Sequence, residues 1–162
     1  MADTISAVAP LVAGFLAVIG LVAAKENKTS EFRQKWIDEL RNDVSDFLSN
    51  LAYSRIHHDN ETGKLANAAR CKIKLRLNLE EEPSKVLHDA SLRLIQLAMN
   101  SRTDEAAVKA GYEDLLDKTA VVLKNEWKRV KRGELRYRLS LWFALVMLSV
   151  SAISVVWRYI AK

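Results

Sequence analysis

The sequence predicts an all-α protein in which two transmembrane helices, one at each end, flank a cytoplasmic helical bundle. The run from Ile5 to Ala24 holds 20 residues without a charge, and the run from Leu139 to Trp157 holds 19. About 20 helical residues cross a bilayer core about 30 Å thick, so both runs are long enough. Between the runs, apolar residues recur mostly at helical spacing. We therefore predict a transmembrane helix at 5–24, a cytoplasmic helical domain at 25–138 and a transmembrane helix at 139–160.

Length and composition exclude several other classes of protein. The 162 residues suit one folding unit, and a single Cys excludes an intramolecular disulfide framework or a multi-cysteine metal site. Two buried core helices explain the apolar runs poorly, because so short a chain can hardly wrap helices that are apolar on every face. A cleaved signal peptide is an alternative for the first run, since Val22-Ala23-Ala24 resembles a cleavage site, although no basic residue precedes the run.

The charges beside the two runs predict their orientation. Residues 124–138 carry seven basic and two acidic side chains, whereas only Asp3 precedes the first run and only Arg158 and Lys162 follow the second. The positive-inside rule then places the central domain in the cytoplasm and both termini outside the inner membrane. We expect the basic residues to form a collar against anionic lipid headgroups rather than a nucleic-acid site. The members of this basic collar are Lys124, Lys128, Arg129, Lys131, Arg132, Arg136 and Arg138.

Small residues follow one face of the first run. This small-residue stripe consists of Ser6, Ala9, Ala13, Ala17, Gly20 and Ala24, spaced 3, 4, 4, 3 and 4 apart. Small side chains allow helix backbones to approach closely in lipid. The stripe therefore predicts either packing against the second run of the same chain or self-association into a homo-oligomer. Neither run contains an ionisable residue, which disfavours a transporter with a charged relay.

The central domain is predicted to contain four helices. The first runs from about Ser30 to Arg55, with Thr29 or Ser30 as its cap, and ends in a polar stretch at 57–63. The second covers 63–78; residues 71–79 alternate as a strand would, but no partner strand is evident. The third runs from Pro83 to about Met99. The fourth is capped by Thr103 and continues without a break into the second apolar run.

No constellation of residues predicts an enzyme, a metal site or a cofactor. Gly63-Lys64 lacks the other residues of a phosphate-binding loop. Adjacent His57 and His58 project about 100° apart on a helix, so they cannot chelate one metal as an i, i+4 pair can. We expect them in a solvated loop, with a pH-sensitive contact as the alternative. Cys71 lies among basic residues, but no catalytic partner or oxyanion donor accompanies it.

One cluster of basic residues has two competing interpretations. Five cations lie within 13 residues with no acid among them, and they form what we call the basic strip: Lys64, Arg70, Lys72, Lys74 and Arg76. The first interpretation is a solvated helix face paired with the acids of residues 80–82. The second is a site for an anionic ligand, such as a nucleotide signal. No aromatic residue interleaves with these cations, which disfavours single-stranded nucleic acid as the partner.

Residues 30–45, SEFRQKWIDELRNDVS, and residues 73–78, IKLRLN, resemble a widespread group of small bacterial membrane proteins. The layout is also similar to that of two-span transmembrane effectors of antiphage defence systems, encoded beside retrons and nucleotide-signalling enzymes. The resemblance implies an effector that oligomerises and perturbs or permeabilises the inner membrane during abortive infection. It implies a defence-system partner protein or an anionic nucleotide as the trigger. The alternative is a non-enzymatic scaffold or sensor in the inner membrane that recruits a cytoplasmic protein partner.

Overall fold

The computed structural model describes the backbone of residues 2–100 and 102–160. It describes the side chains of residues 13–100, 102–135, 137–147, 149–151, 153 and 157. Four helices make up the fold: α1 Ala2–His57, α2 Asn60–Arg76, α3 Glu82–Met99 and α4 Glu105–Ile160. No strand occurs in the described residues, so the prediction of an all-α fold is confirmed.

The chain divides into two compact units. The central unit is Arg33–Lys128, and the terminal unit combines Met1–Phe32 with Arg129–Lys162. Helices α1 and α4 each contribute to both units, whereas α2 and α3 belong to the central unit alone. The domain boundaries predicted from charge and hydropathy, at residues 25 and 138, fall within 10 residues of this division.

A search of the described residues finds no helix with a stretch long and apolar enough to cross a membrane. The side chains of residues 5–12 in the first predicted span lie outside the described part of the chain. In the second predicted span the same is true of residues 148, 152, 154–156 and 158–160. The two transmembrane helices therefore stay a prediction.

The start predicted for the first helix of the central domain is wrong. Helix α1 runs from Ala2 to His57, so Thr29 and Ser30 lie inside it and cap nothing. The Thr29 hydroxyl donates instead to the carbonyl oxygen of Lys25, 2.9 Å away and one turn earlier. A hydroxyl bonded back to its own helix in this way is compatible with an unbroken helix. Neither Gly nor Pro occurs between residues 21 and 57, so no strong helix breaker separates the two parts.

The turn between α1 and α2 is shorter than the polar stretch suggests. His58 adopts a left-handed backbone conformation with φ of 51°, and Asp59 is the N-cap of α2. The Asp59 carboxylate accepts hydrogen bonds from the Thr62 hydroxyl and from the backbone N–H groups of Glu61 and Thr62. These bonds hold the pKa of Asp59 below its ordinary value, because they favour the charged form. Helix α2 thus begins at Asn60, three residues earlier than predicted.

Residues 71–79, whose alternation is typical of a strand, are helical as far as Arg76. Leu77 follows in an extended conformation and caps α2 with its backbone N–H. Ile73 and Leu77 are buried, because positions four apart share one face of a helix. Leu75 lies between them in sequence and points away, with 86% of its surface exposed. Leu79 and Cys71 are exposed as well, so the alternation does not correspond to one buried face.

The core of the central unit lies where all four helices meet. Its largest fully buried apolar side chains are those of Leu40, Phe47, Leu51, Ile73, Leu87, Leu94 and Leu115. Two glycines allow close approach: a Cβ on Gly63 would stand 3.0 Å from Ser54 Oγ, and one on Gly111 would stand 3.0 Å from Leu94 Cδ1. Gly63 therefore serves helix packing.

Helices α3 and α4 begin close to the predicted positions. Pro83 occupies the first turn of α3, where its missing N–H costs no hydrogen bond. Helix α4 begins at Glu105, so Asp104 rather than Thr103 directly precedes it. It continues through Gly133 to Ile160, as the sequence predicts for a helix without proline.

Candidate functional site

In the terminal unit, α4 carries its large apolar side chains on the outside. Trp142, Ile153 and Trp157 are 64%, 66% and 72% exposed. Seven more large apolar side chains, on several sides of the helix, are also exposed: Leu139, Leu141, Phe143, Leu145, Val146, Met147 and Val150. The buried or half-buried positions of this segment carry mostly small or polar residues, among them Gly133, Ser140, Ala144 and Ser151. This polarity is the reverse of that of a helix packed in water, where large apolar side chains turn inward.

The three serine hydroxyls that the structure describes in this segment are satisfied within α4 itself. Ser140 Oγ donates to the carbonyl oxygen of Tyr137 at 2.7 Å. Ser149 and Ser151 donate to the carbonyl oxygens of Leu145 and Met147, each at 2.8 Å. Hydroxyls that bond to the preceding turn need no water, which suits an environment where water is scarce.

The small-residue stripe of α1 lies on a different face from the one that packs within the terminal unit. Ala13, Ala17, Gly20 and Ala24 are exposed, and a Cβ added to Gly20 would meet nothing within 4 Å. The half-buried residues of this segment are Ile19, Ala23, Glu26, Thr29 and Ser30. A Cβ on Gly133 of α4 would stand 3.2 Å from Glu26 Oε2, which marks the face that contacts α4. Ser6 and Ala9 have side chains outside the described part of the chain.

The basic strip on α2 does not form one patch. Arg76 faces α1: its Nη1 donates to Glu39 Oε2 at 2.6 Å, and its Nε donates to Asp43 Oδ2. The hydrogen bond to Asp43 raises the pKa of Arg76 above its ordinary value and outweighs the opposing effect of burial. The indole N–H of Trp36 adds a hydrogen bond to the Arg76 carbonyl oxygen. Arg76 therefore fastens the end of α2 to α1 and does not present a free cation to a ligand.

The other four cations of the strip do not share one side of α2. At 100° per residue, Lys72 and Lys74 project about 160° apart, and Arg70 lies near Lys74. Arg70 is bound to Asn67 Oδ1 at 3.0 Å, and Lys64 pairs with Glu61 at 2.7 Å. Lys72 and Lys74 are exposed and make no ion pair among the described residues. The geometry thus separates the cations that the sequence groups together. An anionic ligand held by all five stays a prediction, and this separation argues against it.

The basic collar is on the surface of α4. Lys124, Lys128, Arg129, Lys131, Arg132 and Arg138 are exposed. The side chain of Arg136 lies outside the described part of the chain. All seven cations fall within about four turns of one helix. Their contact with lipid headgroups stays a prediction.

The histidines and the cysteine show no catalytic arrangement in the described structure. The ring of His57 stacks on that of Tyr53 with centroids 4.2 Å apart. Cys71 is exposed, with Arg70 Nη2 3.9 Å from its sulfur. No group of three metal-binding side chains occurs among the described residues.

Sequence reasoning missed two structural anchors. Asp43 is 5% exposed although it is charged, and it lies between Leu40 and Phe47 on the apolar face of α1. A carboxylate in that position signals a buried cationic partner, which is Arg76. Arg55 donates to the carbonyl oxygens of Ala98 and Thr103 at 3.0 and 3.1 Å, joining α1 to the α3–α4 turn. Nothing in the local sequence points to this second anchor.

A cavity of about 410 Å³ opens at the end of the central unit where α1 and α3 end and α2 and α4 begin. Its lining is Leu51, Ser54, Arg55, Ile56, His58, Asn60, Ala98, Met99 and Glu105. The Arg55 guanidinium is already bound to two carbonyl oxygens, so the cavity offers no free cation from that residue. No protein family, no curated protein and no solved structure matches this chain.

Proposed function

We propose that this protein is a two-span inner-membrane effector that self-assembles through its first span and permeabilises the membrane. The observation that carries the proposal is the reversed polarity of α4 in the terminal unit, with Trp142 and Trp157 outward and Ser140 and Ala144 inward. A continuous exposed apolar surface of this size needs a cover, and lipid provides one without further protein.

The small-residue stripe supports self-assembly. Ala13, Ala17, Gly20 and Ala24 are exposed, while a separate face of α1 packs against α4. In lipid, an exposed stripe of small residues favours contact with another helix, because its backbone permits close van der Waals packing. A second copy of α1 presents the matching stripe. The structure that permeabilises the membrane would then be an assembly of first spans from several chains.

The first test measures membrane integrity after induced expression in bacteria, with a dye that reports membrane potential. The wild type should depolarise the membrane. The double variant A13L/A17L should insert but not depolarise, because bulk on the stripe separates the helices while leucine is still favourable in the bilayer. The matched control is V18L/V22L, which changes exposed apolar positions of α1 outside the stripe and should behave as the wild type. No depolarisation by the wild type would favour the alternative of an inert scaffold that recruits a cytoplasmic partner.

The second measurement tests topology with a reporter that is active only outside the inner membrane. Fused after Lys162, the reporter should be active, because the basic collar keeps the central unit in the cytoplasm. Inserted in the exposed turn after Asn78, it should be inactive. An insertion at a buried position such as Gly63, which packs against Ser54 and Met99, would instead disturb the fold. The opposite pattern of activities would overturn the orientation. The antiphage role implied by the resemblance stays a prediction.

A further inference from the structure

Leu75 on α2 is the most exposed large apolar side chain of the described residues, at 86%. Its neighbours on the same outer face, Ala68, Cys71 and Lys72, are also exposed. The opposite face of α2 is packed in the core through Ala66, Ala69, Ile73 and Leu77. A leucine held outward on a well-packed helix is a preformed apolar knob, because its position costs no rearrangement when a partner covers it.

Helix α4 carries four exposed residues whose spacing suits such a knob. Glu113, Leu116, Asp117 and Ala120 are all exposed and occupy positions i, i+3, i+4 and i+7. Four residues with this spacing form the hole that accepts one side chain in knobs-into-holes packing. Ala120 leaves room in the hole, Leu116 supplies an apolar wall and is half exposed, and two carboxylates lie on the rim.

We propose that Leu75 of one chain inserts into this α4 hole of a second chain, with Lys72 paired to the rim carboxylates of Glu113 and Asp117. Charge complementarity favours the pairing. Arg76 and Lys64 are paired within the chain, which leaves Arg70, Lys72 and Lys74 as the positive charge of α2. Residues 105–123 carry two cations and four acids, a net −2. Two α2 faces would instead bring like charges together. This contact would help to assemble the effector, so its role in assembly rests on the proposed function.

The contact joins two different patches, and each chain carries both of them. A pair of copies joined by one such contact therefore still has one knob and one hole free for further copies, which is a head-to-tail arrangement. The knob and the hole both belong to the central unit, so this contact is separate from the small-residue stripe of α1. An anionic lipid surface is a weaker fit to α2, because the acids of residues 80–82 follow it directly and lipid headgroups would repel them.

The experiment uses full-length chains in detergent and Cys71 as the built-in probe. Cys71 is the only cysteine and lies one turn from Leu75 on the same face. Wild-type chain with one tag is mixed with C71S/A120C chain with another tag and treated with a short bis-maleimide. We expect a crosslink between the two tags. A crosslink only between wild-type chains would indicate a symmetric α2–α2 contact and overturn the proposal, as would no crosslink.

Charge variants test whether the crosslink reports the proposed contact. K72E should reduce crosslinking at least about tenfold, and adding D117K to the C71S/A120C chain should restore it. The matched control is K74E, on the other side of α2, which should crosslink as the wild type. Lys72 and Lys74 are both exposed, so helical content by circular dichroism should be unchanged in either variant. Equal loss in K72E and K74E would overturn the proposal in favour of a non-specific charge effect.

The same variants separate this inference from the proposed function. If wild type depolarises membranes but forms no crosslink with the C71S/A120C chain, the head-to-tail contact is wrong and the effector function stands. If the crosslink forms and responds to K72E while wild type leaves the membrane potential intact, the contact stands and the effector function is wrong.

Discussion

Replacing the charged guanidinium of Arg76 by an apolar group tests whether the ion cluster between α1 and α2 stabilises the central unit. In R76M the methylene stem is kept and the charge is lost, so Asp43 and Glu39 lose their cationic partner. The side chains of Asp43 and Glu39 are 8% and 37% exposed, and that of Arg76 is 28% exposed. Asp43 is therefore left as a buried unpaired carboxylate, whereas Glu39 can be solvated by water.

The expected cost follows from these exposures. Breaking a buried ion pair by removing one partner costs about 3–5 kcal/mol, and breaking an exposed pair costs about 0–1 kcal/mol. Because Asp43 is buried, the cost of breaking the Arg76–Asp43 pair should lie nearer the range for buried pairs. Arg76 is partly exposed, however, and water screens its attraction to Asp43. We expect R76M to lower the free energy of unfolding by about 2–3 kcal/mol. At about 2–4 °C per kcal/mol for a chain of this size, the Tm should fall by about 4–12 °C.

The assay is thermal unfolding of the full-length protein in detergent, followed by circular dichroism. The matched control is R41M, because Arg41 pairs with Asp38 at 2.9 Å where both side chains are largely exposed. R41M should shift Tm by less than about 4 °C. The double variant D43L/R76M should recover much of the loss, because an apolar pair needs no charge compensation. Equal Tm values for R76M and R41M would refute the claim that this ion cluster fastens α2 to α1.

Two further predictions concern titratable groups of the central unit. The pKa of Asp59 is lowered by the hydrogen bonds of its N-cap, so its stabilising effect is present above the ordinary pKa and is lost as the pH falls through the lowered one. D59N keeps a cap acceptor without titrating, so its Tm should fall less than that of wild type between about pH 5 and about pH 3, and parallel curves would contradict this. Burial raises the pKa of Tyr112 against a smaller opposing effect of Arg55, and its hydroxyl has no partner among the described residues. Y112F should therefore leave the free energy of unfolding unchanged or raise it by up to about 1 kcal/mol. Its Tm should also fall less than that of wild type above about pH 10. A clear drop in the Tm of Y112F at neutral pH would show that the hydroxyl is hydrogen-bonded.

Helix periodicity predicts most of the fold because the central unit buries apolar side chains by the usual rule. Leu40, Phe47 and Leu51 recur on one face of α1, and all three are fully buried in the core. For the same reason they are unavailable as an assembly surface. The large apolar side chains that stay exposed in the central unit include Leu65, Leu75 and Leu116, and Leu75 is the most exposed of those described. Helix starts are less predictable: Thr29 resembles a cap, but a hydroxyl can equally bond back inside a continuous helix.

The basic strip shows where a linear pattern loses information. Five cations that are neighbours in sequence lie on different sides of α2, because successive residues of a helix turn by about 100°. Which of them is free depends on α1, where Glu39 and Asp43 lie one turn apart and bind Arg76. The partner is more than 30 residues away in sequence, so no local pattern around Arg76 predicts the pairing. Lys72 remains exposed, and we assign it to assembly.

The residues on the inward face of α4 become smaller from the central unit to the terminal unit of one unbroken helix. This change in size is the structural argument for the proposed membrane location of the terminal unit. In the central unit the buried positions of α4 are Val108, Leu115, Thr119 and Val122, which are mostly apolar, as expected for a core formed in water. At the start of the terminal unit Val130 is still buried, but beyond it the buried or half-buried positions include Gly133 and Ala144, while large apolar residues such as Trp157 are exposed. Mean hydropathy alone does not distinguish a core helix from a lipid-facing one. The size of the inward residues does, because helices in lipid gain little by hiding large apolar side chains and gain more by close backbone packing.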